Sequence, residues 1–244
     1  MKPLIVPIIA LTLLGAAATA TAEAPPRYRI ELVLFEHLDA NAVRAEHWPE
    51  TLALPDYEGA VELGRGSRGA GFAASPDSSR ELGESARLLE ASERYAVVAH
   101  LIWEQPGLPD ETAVPLALRA GKDYGPEFPE LMQPRLEFDD QGDLIEIPAP
   151  ESLRAIEGTI RVVLGRYLHI HTDLIFRKPV SVMDYNEAAD MYVPVDRLRA
   201  IPVKERRRMR SRELHYVDHP MLGMLVKITP IEAPAAAPRA GGAS

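Results

Sequence analysis

The chain contains no cysteine. That excludes disulfides, thiol nucleophiles and thiolate metal centres together. No Gly-x-Ser-x-Gly elbow occurs, so the sequence offers no serine-hydrolase signature. Aromatic residues make up only 6% of the chain, which leaves few candidates for a stacking surface. Beyond residue 14 no apolar run approaches the roughly 20 residues of a spanning helix. Cations are the minority: 27 Lys and Arg stand against 36 Asp and Glu, a formal net charge of −9. Such a surface repels nucleic acid, and no nucleic-acid partner is expected.

What is present begins with a leader. Met1-Lys2-Pro3 is a short basic start, Leu4 to Leu14 is apolar apart from Pro7 and Thr12, and Ala20-Thr21-Ala22 is a small-x-small site before Glu23. These features mark residues 1–22 as a secretory signal peptide. No Cys follows the apolar core, which excludes a lipoprotein anchor. The expectation is export to a bacterial periplasm, with no stable membrane insertion after cleavage. Residues 23–232 then form a single domain, long enough to build a core without covalent staples. Residues 233–244, rich in Ala, Pro and Gly, read as a disordered tail.

Period-two patterning dominates the domain. Residues 27–37 read as a buried strand with Tyr28, Ile30, Leu32 and Leu34 on one face. Leu82, Ala86, Leu88 and Leu89 predict a helix over 79–93, and 94–104 a second strand. Strand, helix, strand in that order predicts an α+β fold: a largely antiparallel sheet with a helix packed on one face and ferredoxin-like split βαβ elements. Residues 105–150 hold eight of the 22 prolines and read as an irregular excursion. Within it, 135–138 and 143–147 flank a turn and predict a small hairpin. One long strand is expected over 158–176, a short helix near 186–191, an alternating strand over 204–218 and a last strand over 224–231. Gly64 to Gly69 matches G-x-G-x-x-G, but Pro76 and a Ser/Asp cluster follow where the motif needs a helix, so a dinucleotide loop is rejected. Segment 64–79 is expected to be a flexible loop without a role.

Candidate chemistry sits on the wet strand faces. Ile160, Val162, Leu164, Leu168, Ile170, Leu174 and Phe176 alternate with Arg161, Tyr167, His169, His171 and Asp173. From Arg197 to Arg212 eight cations face one carboxylate, Glu205. Guanidinium forks hold carboxylates in a bidentate way, and Tyr offers an apolar face with a polar tip. Arg208, Arg210 and Arg212 are the candidate contacts for an anionic ligand. Tyr167, His169, His215 and Tyr216 are the candidates for sugar or hydrogen-bond contact. Trp103 is expected in the core. A competing reading brings His169, His171, Glu213 and His215 together on one metal ion that activates water, as in a cell-wall enzyme. A third makes the Arg strip a protein–protein surface.

Four blocks carry a family resemblance: "RYRIELVLFEH" (27–37), "YAVVAHLIWEQ" (95–105), "GTIRVVLGRYLHIHTDL" (158–174) and "RRRMRSRELHYVDHPMLGMLVKITP" (206–230). In order and spread they resemble the CsiV peptidoglycan-binding family of periplasmic proteins. The segment "RSRELHYVDHP" is the most specific part. The resemblance implies a non-enzymatic protein that binds the murein sacculus and needs no cofactor. It also implies a role in cell-wall synthesis and cell shape, with a bifunctional penicillin-binding protein and its outer-membrane lipoprotein activator as partners. It assigns no ligand contact to a position of this chain, so the contact residues above rest on the strand faces alone.

Overall fold

The computed structural model describes residues 24–39, 54–64, 67–138 and 141–232. The expected signal peptide 1–22 and tail 233–244 lie outside the described residues. Among the described residues there are eleven strands: β1 (Arg27–His37), β2 (Ala73–Ala74), β3 (Tyr95–Pro106), β4 (Leu116–Asp123), β5 (Arg135–Phe138), β6 (Leu144–Ile147), β7 (Arg154–Leu164), β8 (Leu168–Asn186), β9 (Met191–Met209), β10 (Leu214–Val217) and β11 (Leu222–Ile231). An α-helix, α1 (Gly83–Glu90), lies between β2 and β3.

The strands make two main sheets. The first runs β10-β11-β1-β3-β2, the second β4-β7-β8-β9, and β5-β6 is a separate hairpin. Every strand pair is antiparallel. The sheets bury their inner faces against each other. Ile30, Leu32, Leu34, Trp103, Val226 and Ile228 of the first sheet meet Ile160, Val162, Ile170, Leu174, Phe176, Ile201 and Val203 of the second in one cluster. Each such side chain, fully buried, contributes about 1.5–3 kcal/mol. Trp103 is wholly buried, its indole N–H donating to Gln105 Oε1 at 2.8 Å.

This overturns the α+β expectation. The structure is 55% strand against 9% helix, with several antiparallel sheets. Its core is sheet on sheet, not helix on sheet. The ferredoxin-like reading fails for a further reason: β1 and β3 are direct antiparallel neighbours, so the helix between them makes no parallel crossover. α1 is only 8 residues long. It adds a satellite cluster of Leu82 and Ala86 on Val33, away from the main core. Glu31 fixes its start. That carboxylate, 3% exposed, accepts the N–H groups of Glu81 at 2.7 Å and Leu82 at 3.0 Å and lies 2.7 Å from His100 Nε2.

Other expectations shift locally. The long strand over 158–176 is two strands with a turn at Gly165-Arg166-Tyr167. The excursion 105–150 contains β4, which closes one edge of the second sheet. The short helix near 186–191 is a hairpin turn between β8 and β9. Segment 64–79 is no idle loop in its described part: β2 pairs with β3, and Phe72 is 1% exposed in the core. Beyond Phe176 and Ile201, β8 and β9 leave the sheet as a two-stranded ribbon, in register from Arg177↔Ala200 to Asn186↔Met191. At its root Arg177, 0% exposed, pairs with Glu157 and donates to Arg154 O at 3.1 Å.

Candidate functional site

Register decides which cations share a surface. Ile160, Val162, Ile170 and Val203 point into the core, so their sequence neighbours face outward from the second sheet. Antiparallel pairing of β7, β8 and β9 then lines up Arg161, His171 and Arg206 in one row. Val163, His169 and Arg208 form the next row, and Thr159, Asp173 and Lys204 the third. Neighbours in a row are about 5 Å apart in the backbone.

Not all of these charges are free for a ligand. Lys204 Nζ lies 3.0 Å from Asp173, and Arg161 lies 3.0 Å from Asp110. Arg161 also donates to His171 Nδ1 at 3.3 Å. Burial first, and then the charges of Arg161 and Arg206, hold the His171 imidazolium below its ordinary pKa, so the ring is neutral near pH 7. Among the described residues no carboxylate pairs with Arg206 or Arg208, and both are exposed. The Arg208 guanidinium stands 4.6 Å from the centre of the Tyr167 ring, with Arg166 at 5.5 Å. That cation–π contact orients Arg208 without neutralising it. Beside the Arg161–His171–Arg206 row lies a groove of about 510 Å³, which Asp56, Glu58 and Lys204 also line.

Alternation ends where β9 ends. Arg210 and Arg212 lie in the turn to β10, not on the strand face expected for them. Arg212 adopts φ 65° and donates its backbone N–H to Ile228 O at 2.7 Å. Their side chains are exposed, with Glu213 and Glu232 at 3.7 and 3.8 Å. Surface pairs at such distances contribute little. His215 pairs with Val226 in the first sheet, and its Nε2 faces the backbone N–H of Arg210 at 3.0 Å. It therefore pins the turn that carries the chain from one sheet to the other.

The metal constellation does not assemble. His169 and His171 are neighbours on the second sheet, ring centres 6.5 Å apart, while His215 belongs to the first. Glu213 is in the turn beside Arg210. Among the described residues no three His, Asp or Glu side chains gather to hold an ion. Tyr216 also separates from the cations. It lies on the outer face of the first sheet, where its hydroxyl donates to Asp218 at 2.5 Å and its ring lies against Phe35. Sequence reasoning missed Arg206 as the unpaired cation of its row, because its freedom depends on which strand lies beside it.

The fold and these surfaces define an antiparallel β-sandwich scaffold that displays cations and aromatic rings on its outer faces. The chain belongs to the family described as "Peptidoglycan-binding protein, CsiV", whose family model matches residues 4–231 of 244. No curated protein and no solved structure matches the chain.

Proposed function

We propose that the protein is a non-catalytic periplasmic module that holds peptidoglycan against the outer face of the second sheet. Peptidoglycan carries free carboxylates on its stem peptides, and guanidinium groups bind carboxylates in forked pairs. The observation that carries the reading is the contrast between cations. Arg161, Arg177 and Arg197 have carboxylate partners within the protein, whereas Arg206 and Arg208 are exposed without one among the described residues. Tyr167 and His169 border them, and Arg210 and Arg212 continue the positive potential through the turn.

We propose further, from the resemblance of the four sequence blocks alone, a wider role as an accessory of cell-wall synthesis and cell shape, by way of a bifunctional penicillin-binding protein and its lipoprotein activator.

Cosedimentation with purified sacculi tests the binding face. Arg206→Glu/Arg208→Glu is expected to weaken binding at least about tenfold, since a hydrogen bond to a charged group is worth roughly 1.5–3 kcal/mol. Arg210→Glu/Arg212→Glu is expected to weaken it less. Undiminished binding by the first variant would remove the assignment. Pull-down of the synthase with and without sacculi separates wall binding from a direct protein contact at the same strip.

A further inference from the structure

The opposite side of the sandwich carries a second surface, built from residues distant in sequence. Phe35 and His37 are on β1, Tyr95 on β3 and Tyr216 on β10, all on the outer face of the first sheet. Two backbone devices assemble them. A β-bulge interrupts the β1–β3 register between Leu34 and Phe35, so Leu34 pairs with Ala99 but Phe35 with Val97. This one-residue slip reverses the facing of the start of β3 and sends Tyr95 outward beside His37. The second device is Gly223, the partner of Phe35 on β11. A Cβ there would stand 2.2 Å from the tip of the Phe35 ring. Only glycine lets that ring cross β11 and reach Tyr216 on the far strand.

The result is a row of rings. Phe35 lies 6.2 Å from Tyr216 with planes 14° apart, and 5.7 Å from His37 with planes 26° apart. Tyr95 meets Phe35 and His37 edge-on, at 5.3 and 5.5 Å. Tyr216 is 53% exposed, yet its hydroxyl is tied to Asp218. An exposed aromatic face is thus held in a fixed orientation. Above it opens a cleft of about 560 Å³ whose rim, among the described residues, carries Asp39, Glu93 and Asp218 with the cation Arg94.

We infer that this cleft is a saccharide subsite, which takes a neutral pyranose unit of the glycan strand. Aromatic faces stack on the C–H face of a sugar ring, and carboxylate and guanidinium groups at the rim can meet its hydroxyls. The rim carboxylates Glu93 and Asp218 disfavour the acidic stem peptide, which the cationic rows of the other face suit. A free ammonium ligand fits less well. The rings form a flat row instead of a cage, and the cation position at Tyr95 is already taken by Arg94, 5.8 Å from the ring centre. The inference rests on the peptidoglycan reading and divides its work: glycan on the first sheet, peptide carboxylates on the second.

The test uses the full chain with two soluble or stripped probes: N-acetylglucosamine tetramer, and glycan strands freed of stem peptides. Wild type is expected to bind both. Tyr216→Ala and Tyr95→Ala should each weaken tetramer binding about tenfold, the loss typical of an aromatic anchor. Tyr216→Phe, which keeps the ring, should retain binding. Arg206→Glu/Arg208→Glu should bind stripped glycan as wild type does while binding intact sacculi at least about tenfold more weakly. The subsite falls if wild type binds sacculi but neither probe, or if both alanine variants bind the tetramer unchanged; the peptidoglycan reading then survives. It also falls if free diaminopimelate binds the cleft and the tetramer does not. If wild type binds neither sacculi nor glycan, both the subsite and the peptidoglycan reading fail.

Discussion

Replacing Glu157 by alanine should unfold this protein more readily than any change on the exposed outer faces of its sheets. Glu157 and Arg177 are 3% and 0% exposed and pair within the second sheet at the root of the β8–β9 ribbon. Ser152 supports the carboxylate, and Arg154 O takes a second guanidinium N–H at 3.1 Å. Burial opposes the Arg177 charge, and the carboxylate beside it is the main opposing influence. Glu157→Ala removes that support and leaves a buried cation, at a cost of about 3–5 kcal/mol. For a chain of this size each kcal/mol moves Tm by about 2–4 °C, so a fall of about 6–20 °C is expected. The double variant Glu157→Leu/Arg177→Met removes both charges and should recover most of the loss, because a buried ion pair rarely outperforms apolar residues of similar volume. Urea and thermal unfolding followed by far-UV circular dichroism read both numbers. The reasoning is refuted if the single variant loses under about 1 kcal/mol, or if the double variant is as unstable as the single.

His171 gives a pH dependence. Its folded pKa is depressed, so its contribution to stability is complete above its unfolded value, about 6.5, and is lost as pH falls below that. Stability between pH 7 and 5 should therefore decline less steeply in His171→Asn than in wild type, measured by urea midpoints across that range. Protonation of His171 also adds a cation beside Arg206, so carboxylate affinity should rise in the same acidic window. Glu31→Ala should expose α1 first. Two backbone N–H groups and His100 lose their partner, at about 1–3 kcal/mol. Hydrogen exchange should quicken over 81–90 more than in β1 or β11.

Strand faces were legible in the sequence because one side is buried. Ile160, Val162, Ile170 and Leu174 mark the inner face of β7 and β8, and the turn between these strands was invisible for a physical reason. Leu164 pairs with Leu168 across three residues, so alternation keeps its phase through the reversal. The outer half of β9 was not legible. As part of a free ribbon it has no core to face, and Met191, Tyr192 and Val195 are exposed. The helix was overweighted because an amphipathic stripe says nothing about how much core it covers. Of the candidate site, the wet face carrying His169 and Arg208 could be read from alternation. Separation of His215 and Tyr216 from it could not, since strand pairing is a long-range property. The Phe35–Tyr216 contact depends on Gly223 and the place of Tyr95 beside it on a bulge, and neither leaves a periodic trace.

The pairing of β1 with β11 bears on how the molecule comes into being. The second strand neighbour of residues 27–37 is supplied by residues 222–231, so nearly the whole chain must exist before the first sheet has its centre. Contacts this distant in sequence make folding slow, because a large loop must close before they form. A chain emerging from its N-terminus therefore cannot complete its first sheet until residues 222–231 have been made.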